Sequence, residues 1–311
     1  MEPRLEAVVR EVEKAVAGKR GVIEMTLMAL LAGGHVLLDD VPGVGKTTLA
    51  VALGKTLGLR YRRIQFTPDV LPSDIVGFSM FDKGTEKLTY VPGVVSDANL
   101  LLGDEINRAS SKTQSALLEA MEERQVTVDG AAHPLERPFC VIATQNRVGT
   151  AGTQPLPHAQ LDRFLVRLSV GYPDMESQMA IIRDRQTKDP LDAVTRAASR
   201  EDVLRMQREA QEVTMKDEIV SYIARLSEAS RSHPLLALGV SPRGALSVSR
   251  MARARAFFDG RDYVIPEDVQ AVFAGVCAHR VLLSQKAKLE KTDERAVMEE
   301  LLRTVRLPHA L

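Results

Sequence analysis

The chain has 311 residues and a mass of 34.1 kDa, which suggests about two domains at roughly 150 residues each. Forty-one Lys and Arg balance forty-one Asp and Glu, so the formal net charge is zero, excluding a strongly basic nucleic-acid binder and an acidic solvating tail. Hydrophobic content of 45% excludes a disordered chain, and 4% aromatics with no Trp argues against base-stacking grooves.

Residues 4–18 place Leu5, Val8, Val9, Val12 and Val16 at helical spacing, with Gly18 ending the helix. His35 to Asp39 reads as a short buried strand, followed by a Gly-rich turn and a helix from Lys46 to about Thr56. Arg63 to Phe66 is a second strand. Asn99 to Gly103 is a third, continuously apolar as in a parallel sheet covered on both faces. Ser111 to Gln114 has capping-box spacing and opens a helix through Leu117, Leu118 and Met121. Phe139 to Ala143 and Phe164 to Leu168 supply the fourth and fifth strands. Two segments read as small hairpins: Thr85 to Val94, and Gln125 to Gly130 followed by Leu135 to Phe139, with Asp129-Gly130 as the turn. Strands interleaved with helices predict an α/β doubly wound sheet.

After Tyr172-Pro173 only helical periodicity is visible, with Ser241-Pro242 and Pro266 as helix starts. The expected division is therefore an α/β nucleotide-binding core over residues 1–190 and an all-α domain over 191–311. Cys140 and Cys277 stand alone without metal-like spacing, which fits a reducing compartment. Glu2, Glu6, Glu11 and Glu13 argue against a signal peptide, and no apolar run reaches the roughly 18 residues of a membrane span. A cytoplasmic location is the expectation.

The stretch Asp40 to Thr47 meets three of the four fixed positions of the phosphate-loop pattern, with Asp40 in place of its first Gly. Gly43 and Gly45 let the backbone turn tightly, so that the loop from Pro42 to Thr48 (Val44 included), donating N–H groups from Gly43 onward, and the following helix can hold phosphate oxygens. Lys46 is placed to reach the β- and γ-phosphates, and Thr47 to bind Mg²⁺. The apolar third strand delivers Asp104 and Glu105 at its carboxyl edge, where ligands sit in open α/β sheets. Asp104 would complete the Mg²⁺ shell and Glu105 would polarise an attacking water. Asn146 closes the fourth strand, where an amide can help position that water. Arg163 and Arg243 are the candidates for neutralising transition-state charge.

These residues together resemble the MoxR family of AAA+ ATPases, from about residue 15 to the C-terminus. The most specific stretches are Arg63 to Ile75, Leu100 to Met121, Ala143 to Asn146 and Ala159 to Phe164; Ser241 to Gly244, Gly260 to Val264 and His279-Arg280 extend the match. The resemblance implies a P-loop AAA+ core, a parallel five-stranded sheet with hairpin inserts, and a helical lid. Lys46 and Thr47 would be the Walker A pair, Asp104 and Glu105 the Walker B pair, and Asn146 sensor 1. Arg163 would be the arginine finger acting on a neighbour's ATP, and Arg243 the sensor 2 residue reaching its own subunit's nucleotide. Gly18 falls where the family holds the adenine. The resemblance further implies a homo-oligomeric ring, a hexamer, that uses Mg²⁺ and ATP to remodel or activate a client protein complex. A partner carrying a von Willebrand factor A domain is part of the same implication.

Arg147, Gly149, Ala151 and His158 depart from the family's usual residues at the expected subunit interface. Arg108 and Lys112 read as solvated helix-face charges, the alternative being that they face a neighbour's nucleotide. The cluster of Arg243, Arg250, Arg253, Arg255 and Arg261 reads as a packed lid surface, since apolar residues alternate through it. Two other functions compete with a ring ATPase. A nucleotide-gated binding module has little need of Glu105, Asn146 and Arg163. A nucleic-acid motor is disfavoured by neutral charge and sparse aromatics.

Overall fold

A computed structural model describes residues 1–84, 86–146, 156–184 and 189–308. Five parallel strands form the central sheet in the order Tyr61–Gln65, Leu100–Asp104, Cys140–Gln145, Val36–Asp39 and Val166–Leu168. Register aligns their carboxyl ends: Gln65 lies opposite Asp104 and Asp39 opposite Gln145. Side chains alternate between two buried layers, as the two-residue strand period requires. Val36, Leu38, Leu100, Leu102 and Ile142 face one layer, while Leu37, Leu101, Val141 and Ala143 face the other. The middle strands are buried on both faces, which is why their sequence shows no polar alternation.

The helix Lys46–Thr56 starts where the phosphate loop ends, as expected. The helix Ser111–Glu123 also forms, but Ser110 caps it by accepting from Thr113 N. Gln114 instead donates back to the Ile106 and Ala109 carbonyls, so the capping box read at Ser111 is not the one used. The first helix, Pro3–Glu13, ends before Gly18, which sits in a left-handed turn at φ +70°. A helix at Arg20–Leu31 had no counterpart in the sequence reading. Seven of its twelve residues are buried, so no polar face marks it.

The first hairpin pairs Gly77–Asp82 with Lys87–Pro92, starting earlier than expected. The second pairs Gln125–Val128 with Ala131–Pro134 rather than with Leu135 to Phe139. Its two-residue turn sets this: Asp129 and Gly130 both take positive φ, which closes the hairpin directly onto Ala131.

Beyond residue 173 the helices Met175–Asp184, Arg200–Glu212, Asp217–Arg231, Pro242–Phe258, Pro266–Cys277, Gln285–Leu289 and Glu294–Thr304 follow. Ser241 caps the fourth by accepting from Gly244 N. A small addition to the all-α expectation is an antiparallel pair, Leu236–Leu238 with Leu282–Leu283. The fold is thus an α/β core with a helical lid. One apolar cluster runs from the N-terminal helices across one sheet face into the lid.

Candidate active site

The phosphate loop lies at the carboxyl ends of the strands and borders a cleft of about 300 Å³. Gly43 and Gly45 hold φ of +83° and +93°, the left-handed region that favours glycine. Gly45 gives the helix Lys46–Thr56 no side-chain cap, so the N–H groups of its first turn remain available to an anion. Asp40 does not take a positive φ, so the Gly expected there is not needed. Its buried carboxylate accepts instead from Gly171 N at 2.6 Å, Val41 N at 2.8 Å and Ser169 Oγ at 2.9 Å. Burial opposes its charge, but these three donors outweigh that and lower the Asp40 pKa.

Lys46 is 7% exposed, and its ammonium donates to Asn146 Oδ1 at 2.9 Å and the Asp40 carbonyl at 3.0 Å. Burial pushes its pKa below the usual value, against the pull of Asp40 and Asp104. Asn146 Nδ2 in turn donates to Glu105 Oε1 at 2.7 Å. Cation, amide and carboxylate therefore form one hydrogen-bonded line across the cleft. Glu105 sits at φ +56°, a conformation uncommon outside glycine. It is held there by its N–H donating 2.9 Å to Thr144 Oγ1, while that hydroxyl donates 2.6 Å to Asp104 Oδ1. Arg63 and Arg108 complete the surround, pairing with Asp104 and Glu105 at 2.8 and 2.7 Å.

Pro42, Gly43, Gly45, Lys46, Thr47, Thr48, Asp104, Glu105 and Asn146 all line the cleft. Val44 instead packs against the apolar core. Gly18 also lies outside this lining, and a side chain there would meet Ser177 Oγ at 2.4 Å. The residue types fit a nucleotide with its divalent cation: uncapped N–H groups, one buried ammonium, a threonine hydroxyl and two carboxylates.

Arg163 and Arg243 are elsewhere. Both line a second cavity, of about 150 Å³, where Gly34, His35 and Leu165 lead into the strands. That is the amino edge of the sheet, opposite the phosphate cleft. Arg163 Nε lies 3.0 Å from Glu122 Oε2, Arg243 pairs with the same carboxylate, and Arg243 Nη1 is 3.9 Å from Asp162. The expectation that Arg243 reaches its own subunit's nucleotide does not hold in this arrangement, because the length of the strands separates the two.

A family model for the ATPase family associated with various cellular activities (AAA) matches residues 35–166, and one for the AAA lid domain matches 228–301. Chaperone MoxR1 of Mycobacterium tuberculosis is 40% identical over 98% of this chain and 82% of its own. Protein MoxR of Methylorubrum extorquens is 32% identical over 95% and 92%. The chain belongs to the MoxR family of AAA+ ATPases. A crystal structure from Cytophaga hutchinsonii, of a protein provisionally called an ATPase, shares the fold at TM-score 0.90 and 38% identity, covering 98% and 95% of the two chains.

Sequence reasoning missed two residues that the structure places against the expected residues of this MoxR-family site. Thr144 was visible only as a polar residue inside a strand, and its bond to Asp104 depends on strand pairing. Glu122 gave no signal beyond a charge on a helix. Arg108 is exposed, as read from the sequence, while pairing with Glu105 of its own chain, and Lys112 is exposed too. Of the departures noted above, His158 opens the short helix His158–Leu161, while Arg147, Gly149 and Ala151 lie outside the described residues. In the arginine cluster, Arg255 pairs with Asp259 and Arg261 with Asp268, which supports a packed lid surface. Among the described residues no helix is long and apolar enough to cross a membrane.

Proposed function

We propose that this ATPase works as a homo-oligomeric ring in which each ATP is held by one subunit and completed by the next. The placement of Arg163 and Arg243 on Glu122, across the sheet from Lys46, carries this reading. Two guanidiniums sharing one carboxylate are poised to exchange it for the phosphates of a neighbour. On this reading both arginines act in trans, and a hexamer is the assembly proposed.

Within one subunit, the loop from Pro42 to Thr48 cradles the phosphates with its N–H groups from Gly43 onward, and Lys46 neutralises charge on them. Thr47 and Asp104 would hold Mg²⁺, which supplies further charge neutralisation when bound. Glu105 takes a proton from the attacking water, and Asn146 orients that water and the Glu105 carboxylate together. Gly18 is proposed to border the adenine. Residues 1–190 serve as the core and 191–311 as the lid that transmits the change.

The name of the Mycobacterium tuberculosis relative supports a chaperone-like role. We extend this to remodelling of a client protein complex, with a von Willebrand factor A domain protein as partner. Hydrolysis per subunit, measured against protein concentration, tests the reading. It should climb with concentration, and mixing Glu105→Gln with Arg163→Ala chains should restore part of the activity. A flat profile without rescue would leave a self-contained ATPase.

A further inference from the structure

The helix Met175–Asp184 leaves Met175, Met179 and Ile182 exposed at 76%, 44% and 56%. Their i, i+4, i+7 spacing puts them on one stripe, the pattern by which a helix enters an apolar groove. Elsewhere, the helices Asp217–Arg231 and Pro242–Phe258 enclose a largely apolar groove of about 710 Å³, lined by Val220, Ile223, Ala224, Ala245 and Leu246. Val220 and Leu246 are themselves half or more exposed. Arg225 and Arg231 stand on its rim beside a single carboxylate, Glu228. The stripe begins instead among acids, Asp174 and Glu176. Polarity and charge are complementary.

We propose that the groove in the lid of one chain receives the Met175–Ile182 stripe of a second copy of this chain. The proposal rests on the trans reading above and names the surface that would enforce it. Groove and arginine cavity share one helix: Pro242, Ala245 and Leu246 line the first, Arg243, Ser247 and Arg250 the second. The stripe, for its part, is tied to the segment that leads into the phosphate loop. Its helix follows Gly171, whose N–H is bound by Asp40, and Ser177 packs on Gly18. An interface that brings Arg163 and Arg243 to a neighbour's cleft therefore carries the groove toward that neighbour's stripe. Each copy offers one groove and one stripe, a head-to-tail contact that closes into a ring rather than a two-fold dimer.

Cysteine cross-linking in the full chain tests this. Cys140 and Cys277 are buried, with thiol pKa values pushed up to about 12, so both stay out of disulfide exchange. Chains carrying Met179→Cys, mixed with chains carrying Leu246→Cys under glutathione disulfide, should yield a covalent heterodimer on a non-reducing gel. The double variant should yield a ladder, and Met179→Cys mixed with Glu299→Cys should yield nothing. In parallel, Met179→Glu or Leu246→Glu should raise the concentration for half-maximal self-association by about tenfold or more. No heterodimer in a sample that light scattering shows to be assembled would overturn the docking and leave the two faces to a different protein. The trans reading would then still stand on rescue between Glu105→Gln and Arg163→Ala. No self-association at all would overturn both.

Discussion

Arg280 donates 2.7 Å to Asp162, and from a site 3% exposed it also donates to the Phe164 and Leu165 carbonyls. A residue of the lid thus anchors the entry to the last sheet strand, immediately beside Arg163. His279 reinforces the junction, its Nε2 lying 2.9 Å from the same Phe164 carbonyl. The lid and the segment carrying Arg163 are mechanically joined here.

Arg280→Ala should therefore be costly. It takes the guanidinium from the Asp162 carboxylate and from the Leu165 carbonyl, a loss of about 3–5 kcal/mol for a broken buried pair. Urea unfolding of variant and parent checks this. A difference below about 1 kcal/mol would mean that water or a neighbouring side chain takes over.

Glu105→Gln keeps the size and the hydrogen bond to Asn146 but removes the base. Nucleotide binding should survive while phosphate release slows by about 10²-fold or more. Undiminished turnover would remove Glu105 from the proton transfer.

Thr144→Val preserves shape and deletes one hydroxyl. The Glu105 N–H then loses its acceptor and Asp104 loses a donor, at a cost of about 1–3 kcal/mol. Because this bond helps hold Glu105 at positive φ, turnover should fall more than nucleotide affinity does. Thr144→Ser should recover most of both; if it matches Thr144→Val instead, the methyl group and not the hydroxyl is what matters.

Stability should fall on mild acidification. His35 is wholly buried, with Nε2 on the Met121 carbonyl and Nδ1 accepting from Val141 N, and burial lowers its pKa from 6.5 to about 4. Between those values the unfolded chain binds a proton that the folded chain does not. The stabilisation is thus complete above about pH 6.5 and is lost progressively toward pH 4, by about 3 kcal/mol in all. His279, buried and lowered as well, acts in the same direction. Denaturation across pH 4–7.5 should show this slope, and His35→Gln should flatten it. An unchanged slope in that variant would assign the effect to other groups.

Much of the phosphate-loop cleft was legible because its residues are close in sequence and obey local rules. A buried strand, a glycine turn and a helix start are each set by a few neighbours, so Lys46, Thr47, Asp104 and Glu105 could be placed from spacing alone. The helix Arg20–Leu31 was not legible, because a segment buried on nearly all sides carries no periodic contrast. Ser110 and Ser111 are equivalent as caps on paper; the bonds that Gln114 makes to Ile106 and Ala109 decide between them. Asp40 looked like a defect in the phosphate loop, and only the approach of Ser169 and Gly171 shows it tying the loop to the last strand.

The sequence by itself determined the fold class, the chemistry of the phosphate cleft and the presence of a helical lid. Those depend on hydrophobic period, glycine conformational freedom and the pairing of acids with a strand end, which act over a few residues. Tertiary structure alone decided where the two arginines lie. Arg163 and Arg243 are eighty residues apart in the chain, and nothing local says that both meet Glu122. Only the packing of the lid against the amino edge of the sheet sets them there, too far across the core to serve the cleft of their own chain.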